Sequence, residues 1–151
     1  IAGEMDAAPE YVGACRQFVA DHHLEGSVLF LGSLTMEQVI EEYSSCGLVA
    51  LPSLQETSPV AVAEAMAAGR AVVTNRVCGM PYLVEDGQSG LLLNYGDAEG
   101  WATALRKLLA DSDLRNRMGS RGRMLAEQRF RPAVVAAATR AAYYEIAGGA
   151  I

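Results

Sequence analysis

The chain has 151 residues, 51% of them hydrophobic and 20% charged, with a formal net charge of -6. That length suits one domain, able to bury roughly two-thirds of its unfolded surface without disulfide or metal staples. The acidic balance argues against nucleic acid as a partner and against broad charge docking on anionic membrane, leaving peripheral association through a local basic patch.

In chain order, Pro9 suits the first position of a helix whose Tyr11, Val12, Cys15, Phe18 and Val19 fall on one face. Val28-Leu29-Phe30-Leu31, closed by Gly32, predicts a buried strand. Thr35 and Gln38 have capping-box spacing ahead of a helix with Met36, Val39, Ile40 and Tyr43 at helical intervals. Leu48 to Leu51, closed by Pro52, predicts the next strand. A helix from about Pro59 to Ala68 follows, with Gly69 as a left-handed stop and Pro59 in its first turn. Ala71-Val72-Val73 and Leu91-Leu92-Leu93 predict two more strands. Asp97 can cap a helix carrying Trp101, Leu105, Leu108 and Leu109. Two further helices are expected, from Leu114 to Gln128 and from Pro132 to Tyr144.

None of the apolar runs alternates with polar residues, so both faces of the sheet should be covered. Strands alternating with helices predict an α/β fold, a doubly wound, Rossmann-like parallel sheet with right-handed crossovers. Ligands of such sheets bind beyond the carboxyl ends of the strands, which directs attention to the loops after Ala2, Leu31, Leu51 and Val73.

The loop after Leu51 and the helix behind it carry the chemistry. Glu64 is the only charged residue of the segment Val60-Ala61-Val62-Ala63-Glu64-Ala65-Met66-Ala67-Ala68-Gly69. A helix apolar all round is normally buried, and a buried carboxylate needs a hydrogen-bonding partner. Helical side chains lean toward the N-terminus, so Glu64 reaches back about one turn, roughly 5 Å, toward the preceding loop. Two adjacent hydroxyls, such as those of a ribose, would satisfy it; an Arg or a backbone group is the structural alternative. Thr57 and Ser58 can cap the helix, and its free N–H groups and dipole make a phosphate site. Glu56 stands at the edge of that loop, placed either as an ordinary exposed carboxylate or to hold sugar hydroxyls.

These residues resemble the signature of glycosyltransferase family 4 (group 1), retaining enzymes of the two-domain GT-B fold: two glutamates separated by seven residues, here Glu56 and Glu64, and then a small-residue helix ending in Gly. Gly79-Met80-Pro81-Tyr82-Leu83-Val84-Glu85-Asp86-Gly87-Gln88-Ser89-Gly90-Leu91-Leu92-Leu93 is similar to the family's next block. So is Leu108 to Arg115 with Met118-Gly119, and, upstream, Val28 to Gly32. The resemblance implies that residues 1–151 are a nucleotide-sugar-binding domain, the C-terminal half of a GT-B glycosyltransferase. It implies N-terminal truncation, without the first strand and helix that carry a diphosphate-clamping Arg and Lys, and without the acceptor domain. By the same resemblance Glu64 would bind the donor ribose and Glu56 would assist catalysis at the transferred sugar. Backbone amides of Thr57, Ser58 and Val60 would meet sugar and diphosphate, and Gly32 and Gly3 would line the nucleotide cleft. The chain departs from the family's pattern at Thr57 and Pro59, where Gly is common, and at Tyr82, where an acidic residue is common.

The expected donor is a UDP- or GDP-sugar, and the expected acceptor a growing glycan or a lipid, as in polysaccharide biosynthesis. No metal or other cofactor is required. The chain alone is expected to bind without turnover. The rivals are a non-catalytic nucleotide-sugar-binding module and a related GT-B enzyme such as a sugar-nucleotide epimerase. An NAD-binding reading lacks its glycine fingerprint. Asp111-Ser112-Asp113 reads as a turn and cap, Trp101 as core, and the arginines from Arg115 to Arg131 as a solvated helix face. Cys15, Cys46 and Cys78, odd in number, read as reduced thiols, which suggests a cytoplasmic protein, possible at the inner membrane face only peripherally.

Overall fold

The computed structural model describes residues 1–57 and 59–148, so Ser58 and the last three residues lie outside the described residues. The chain divides into two compact units, Ile1–Glu42 and Tyr43–Ile151.

The first unit holds α1 (Pro9–Asp21) and the start of α2 (Met36–Ser45). Pro9 opens α1, where a missing N–H is harmless. Val19 is buried, but Tyr11 and Phe18 of the expected apolar face are 72% and 58% exposed. That face is wider than the surface this unit provides to cover it. Phe18 stacks instead on His22, with ring centroids 4.0 Å apart. Between α1 and the Val28–Phe30 segment lies an apolar hollow of about 430 Å³, lined by Cys15, Phe18, Val19, Leu24, Val28 and Phe30 among others.

The predicted strand at Val28 to Leu31 is not regular. The segment forms one isolated parallel bridge, Ala2 with Gly32, and Leu29 stays 66% exposed. Its ladder partner is the stretch from Ile1 to Gly3, long enough for bonds from Leu31 N to the Ile1 carbonyl (2.8 Å) and from Gly3 N to the Gly32 carbonyl (2.9 Å). The capping box holds as expected. The Thr35 amide donates to Gln38 Oε1 at 2.9 Å, and the Gln38 amide donates to Thr35 Oγ1 at 3.4 Å.

The second unit is built on a three-stranded sheet in the order β1-β2-β3. Strand β1 is Leu48–Leu51, β2 is Ala71–Asn75 and β3 is Gly90–Leu93. Both pairings are parallel, with Val49 opposite Val72 and Val73 opposite Leu91. Parallel neighbours need a crossover, supplied here by α3 (Val60–Ala67) between β1 and β2. A single turn, α4 (Met80–Leu83), not anticipated from the sequence, lies between β2 and β3. Helices α5 (Ala98–Ala110), α6 (Ser112–Arg129) and α7 (Pro132–Ile146) follow.

Alternate strand residues face opposite ways, and each face of the sheet is covered. Val72 and Leu92 join Val62, Ala65 and Met66 of α3, Met80 of α4, and Leu125 and Ala126 of α6. Ala71 and Val73 join Ala104 and Leu108 of α5 and Met118 of α6 on the other side. The structure is thus an α/β, Rossmann-like parallel sheet with helices on both faces. Strand β2 runs past the apolar Ala71–Val73 through two buried polar residues. Thr74 Oγ1 donates to the Leu51 carbonyl at 2.8 Å, which lets a hydroxyl sit in the core without penalty.

Helix α3 stops where Gly69 takes φ +72°, the left-handed conformation glycine adopts without a steric cost. Gly119 of α6 packs directly on that turn: a Cβ there would lie 2.8 Å from the Gly69 carbonyl carbon and closer still to its oxygen. Asp111 caps α6 by accepting from the Leu114 amide at 2.8 Å, and Asp97 caps α5 by accepting from the Gly100 amide at 2.8 Å. Four arginines in and just after α6 form ion pairs: Arg121 and Arg129 with Glu85, and Arg123 and Arg131 with Glu127. Helix α7 buries none of its side chains. No helix among the described residues is long and apolar enough to cross a membrane.

Candidate functional site

The segment from Pro52 to Pro59 joins the carboxyl end of β1 to α3. Its base is held by Asn75, the last residue of β2, which is 2% exposed. Asn75 Nδ2 donates to the Ser53 carbonyl at 3.0 Å, while its Oδ1 accepts from Trp101 Nε1 at 2.9 Å. One buried amide therefore ties the loop to both β2 and α5, and Trp101 is the structural residue its spacing suggests. The next support is Gly79. Its amide donates to the Glu56 carbonyl at 3.1 Å, and a Cβ on it would stand 2.5 Å from the Thr57 carbonyl oxygen. Only glycine lets the segment after β2 approach the loop this closely.

On that loop Glu56 is half-buried, and its Oε1 accepts from Ser53 Oγ at 3.1 Å. Thr57 is exposed. Ser58 lies outside the described residues. Pro59 occupies the N-cap position of α3 rather than its first turn, with φ -74° and ψ 90°, and among the described residues no side chain caps the helix. This corrects the expectation of a Thr57 cap. The cap position has fallen to a residue with neither a side-chain acceptor nor an N–H. The first-turn amides, beginning at Val60, are those a helix leaves without intrahelical acceptors.

Glu64 stands one turn further on, half-buried in the otherwise apolar α3. Among the described residues it forms no ion pair. The cation nearest in sequence, Arg70, is spent elsewhere, donating to the carbonyls of Cys46 at 3.0 Å and Ser44 at 2.9 Å at the end of α2. Glu64 instead accepts from a phenol: Tyr43 Oη lies 3.3 Å from Oε2 and 3.1 Å from the Ala61 carbonyl. Burial pushes the Tyr43 phenol up to about 12, and the nearby Glu64 charge and hydrogen bond add to it. The hydroxyl thus stays a donor at any physiological pH.

The predicted residues fall as follows. Glu56, Thr57, Val60 and Glu64 lie together on the β1–α3 connection in the second unit. Gly3 and Gly32 lie in the first unit, bonded to each other, both with positive φ, at +146° and +72°. Sequence reasoning missed Tyr43, Asn75 and Gly79 as contributors. Tyr43 was legible only as a core position of α2. A polar residue straight after the apolar run Ala71–Val73 was the one available signal for Asn75. Among the described residues, no group of three His, Cys, Asp or Glu side chains could hold a metal ion.

Known proteins resemble the chain in sequence and fold. The family model of glycosyl transferases group 1 matches residues 1–124. The chain is 33% identical to N-acetyl-alpha-D-glucosaminyl L-malate synthase of Bacillus anthracis, over 97% of this chain and 39% of that protein. It is 41% identical to D-inositol 3-phosphate glycosyltransferase of Corynebacterium jeikeium, over 61% of this chain and 22% of that one. The chain thus spans well under half the length of either relative. Among solved structures, Anabaena HepE in complex with UDP-glucose superposes with a TM-score of 0.84 at 27% identity, over 97% of this chain and 40% of that one. A match covering most of the sequence, on a sheet of the same architecture, places the chain in the glycosyl transferases group 1 family.

Proposed function

We propose that this chain is the donor-binding part of a retaining, family 4 glycosyltransferase, holding a nucleoside-diphosphate sugar for hexose transfer to a glycan or lipid acceptor. The observation that carries this reading is Glu64: a carboxylate in an apolar helix, held by a phenol rather than by a cation. Such a group keeps its remaining acceptor sites for a ligand's vicinal diol. The positive end of the α3 dipole and the amides of Thr57, Ser58 and Val60 take the diphosphate and stabilise charge as it leaves. Glu56, one loop residue away, faces the transferred sugar, where an oxocarbenium-like transition state gains from a carboxylate. The UDP-glucose bound by HepE supports a nucleotide sugar as the ligand. The chain spans well under half the length of these relatives, and in this reading acceptor binding is assigned to sequence outside it. The chain by itself binds donor without transferring sugar.

A thermal-shift screen against UDP-, GDP- and ADP-sugars tests the binding. One of them is expected to raise the unfolding midpoint in proportion to its affinity, and no shift across the panel would overturn the proposal. Glu56→Gln, placed in an enzyme with its acceptor-binding part, is expected to lower turnover by roughly tenfold or more while changing donor affinity far less. Equal losses in the two would remove Glu56 from the transition state.

A further inference from the structure

We propose that Tyr43 is a positioning residue for Glu64, setting its carboxylate so that the site distinguishes a ribonucleotide from a 2′-deoxyribonucleotide; this rests on Glu64 gripping the ribose diol.

The geometry supplies the reason. A glutamate side chain has three rotatable bonds, and a carboxylate must be fixed in plane and direction to meet two neighbouring hydroxyls at once. Backbone helicity alone does not do that. The Tyr43 ring packs against the apolar cluster of Val62, Met66 and Val72, so its hydroxyl has a fixed position. Arg70 holds the end of α2 immediately after it, through the carbonyls of Ser44 and Cys46. From that anchored place Tyr43 Oη reaches Oε2 of Glu64. An ionised carboxylate has about four acceptor sites. The phenol occupies one on Oε2 and leaves the others, including all of Oε1, for hydroxyl donors from a ligand.

The second acceptor gives the arrangement a further property. A phenol has one proton, and here two acceptors compete for it, Glu64 Oε2 at 3.3 Å and the Ala61 carbonyl at 3.1 Å. With the site empty, the charged carboxylate is the stronger acceptor and is kept in place. When a diol donates to Glu64, the Tyr43 proton can turn to Ala61 and remain bonded. Binding then strands no buried donor, a loss that would otherwise detract from affinity. A plain helix-to-helix fastener would need only the Ala61 bond.

The test compares UDP with 2′-deoxy-UDP, and GDP with 2′-deoxy-GDP, by calorimetry on the 151-residue chain and its Tyr43→Phe variant. The phenylalanine keeps the packed ring and removes only the hydroxyl. The unaltered chain is expected to prefer the ribonucleotide by roughly tenfold or more. Tyr43→Phe is expected to lower that preference by roughly threefold or more, with affinity for the deoxynucleotide unchanged. Should Tyr43→Phe disturb folding, Glu64→Asp keeps the charge, withdraws it from the phenol by one methylene, and is expected to lose the same preference. An unchanged preference in Tyr43→Phe, or an equal loss for both nucleotides, overturns the role of Tyr43 and leaves the diol reading standing. A parent chain that binds the two nucleotides alike, or neither, removes the diol reading and this role with it.

Discussion

Glu64→Ala is expected to weaken UDP or GDP binding by roughly a hundredfold or more in calorimetry, while moving the unfolding midpoint by only a few degrees. Hydrogen bonds from a ligand to a charged group are each worth about 1.5–3 kcal/mol, and the substitution deletes the acceptor of both diol hydroxyls. The cost to the fold is small for three reasons. Glu64 is half-buried rather than buried, alanine is the better helix former, and no cation among the described residues is left without a partner. The one donor released, Tyr43 Oη, still has the Ala61 carbonyl 3.1 Å away. Large loss of affinity with little loss of stability is the signature of a ligand-binding carboxylate. The opposite outcome, intact affinity and a lowered midpoint, would make Glu64 a structural group and end the donor-binding assignment.

Gly119→Ala is expected to destabilise the second unit by about 3 kcal/mol, at the upper end of overpacking costs. In a helix, alanine normally stabilises relative to glycine by up to about 1 kcal/mol. Here that gain is outweighed, because the added methyl meets rigid backbone: the Gly69 carbonyl, and the Ala71 amide at 3.5 Å. Neither can yield without moving the end of α3 or the start of β2, and with them Glu64. At about 2–4 °C per kcal/mol for a chain of this size, the midpoint should fall by roughly 6–12 °C. Gly122 on the same helix is the internal control. A Cβ there would meet the Met66 side chain, Cγ at 3.4 Å, a flexible neighbour that can shift. Gly122→Ala should therefore leave the midpoint nearly unchanged, and equal midpoints for the two variants would refute the close packing of α6 on the α3–β2 turn.

The sheet and most helices of the second unit were legible because the signals were local. Short apolar runs marked β1, closed by Pro52, and β3, Asp97 and Asp111 stood as caps, and Gly69 marked the end of α3. Strand β2 was read two residues short, since Thr74 and Asn75 look like loop residues until their partners, the Leu51 and Ser53 carbonyls and Trp101, are in view. The strand at Val28 to Leu31 failed for the complementary reason. Its composition suits a buried strand, but burial depends on what lies beside it, and it finds only the bridge to Ala2. At the site, Glu56 and Glu64 stood out because charge is rare in their surroundings. Tyr43 did not, because a tyrosine at an apolar position of α2 looks like core; its ring is core, and only its hydroxyl belongs to the site. Gly79 carries no side chain to draw attention, and its importance lies wholly in how near the Thr57 carbonyl comes.

Among the described residues, the apolar clusters of the second unit draw on none beyond Ala126. Helix α7 opens just after Arg129, whose bond to Phe130 trypsin can cut, whereas the Arg131–Pro132 bond resists it, and the helix buries none of its own side chains. Clipping at that seam would shed the terminal helix while the rest melted as before. The family model's match stops at residue 124, within one helical turn of Ala126, the last buried residue of the core.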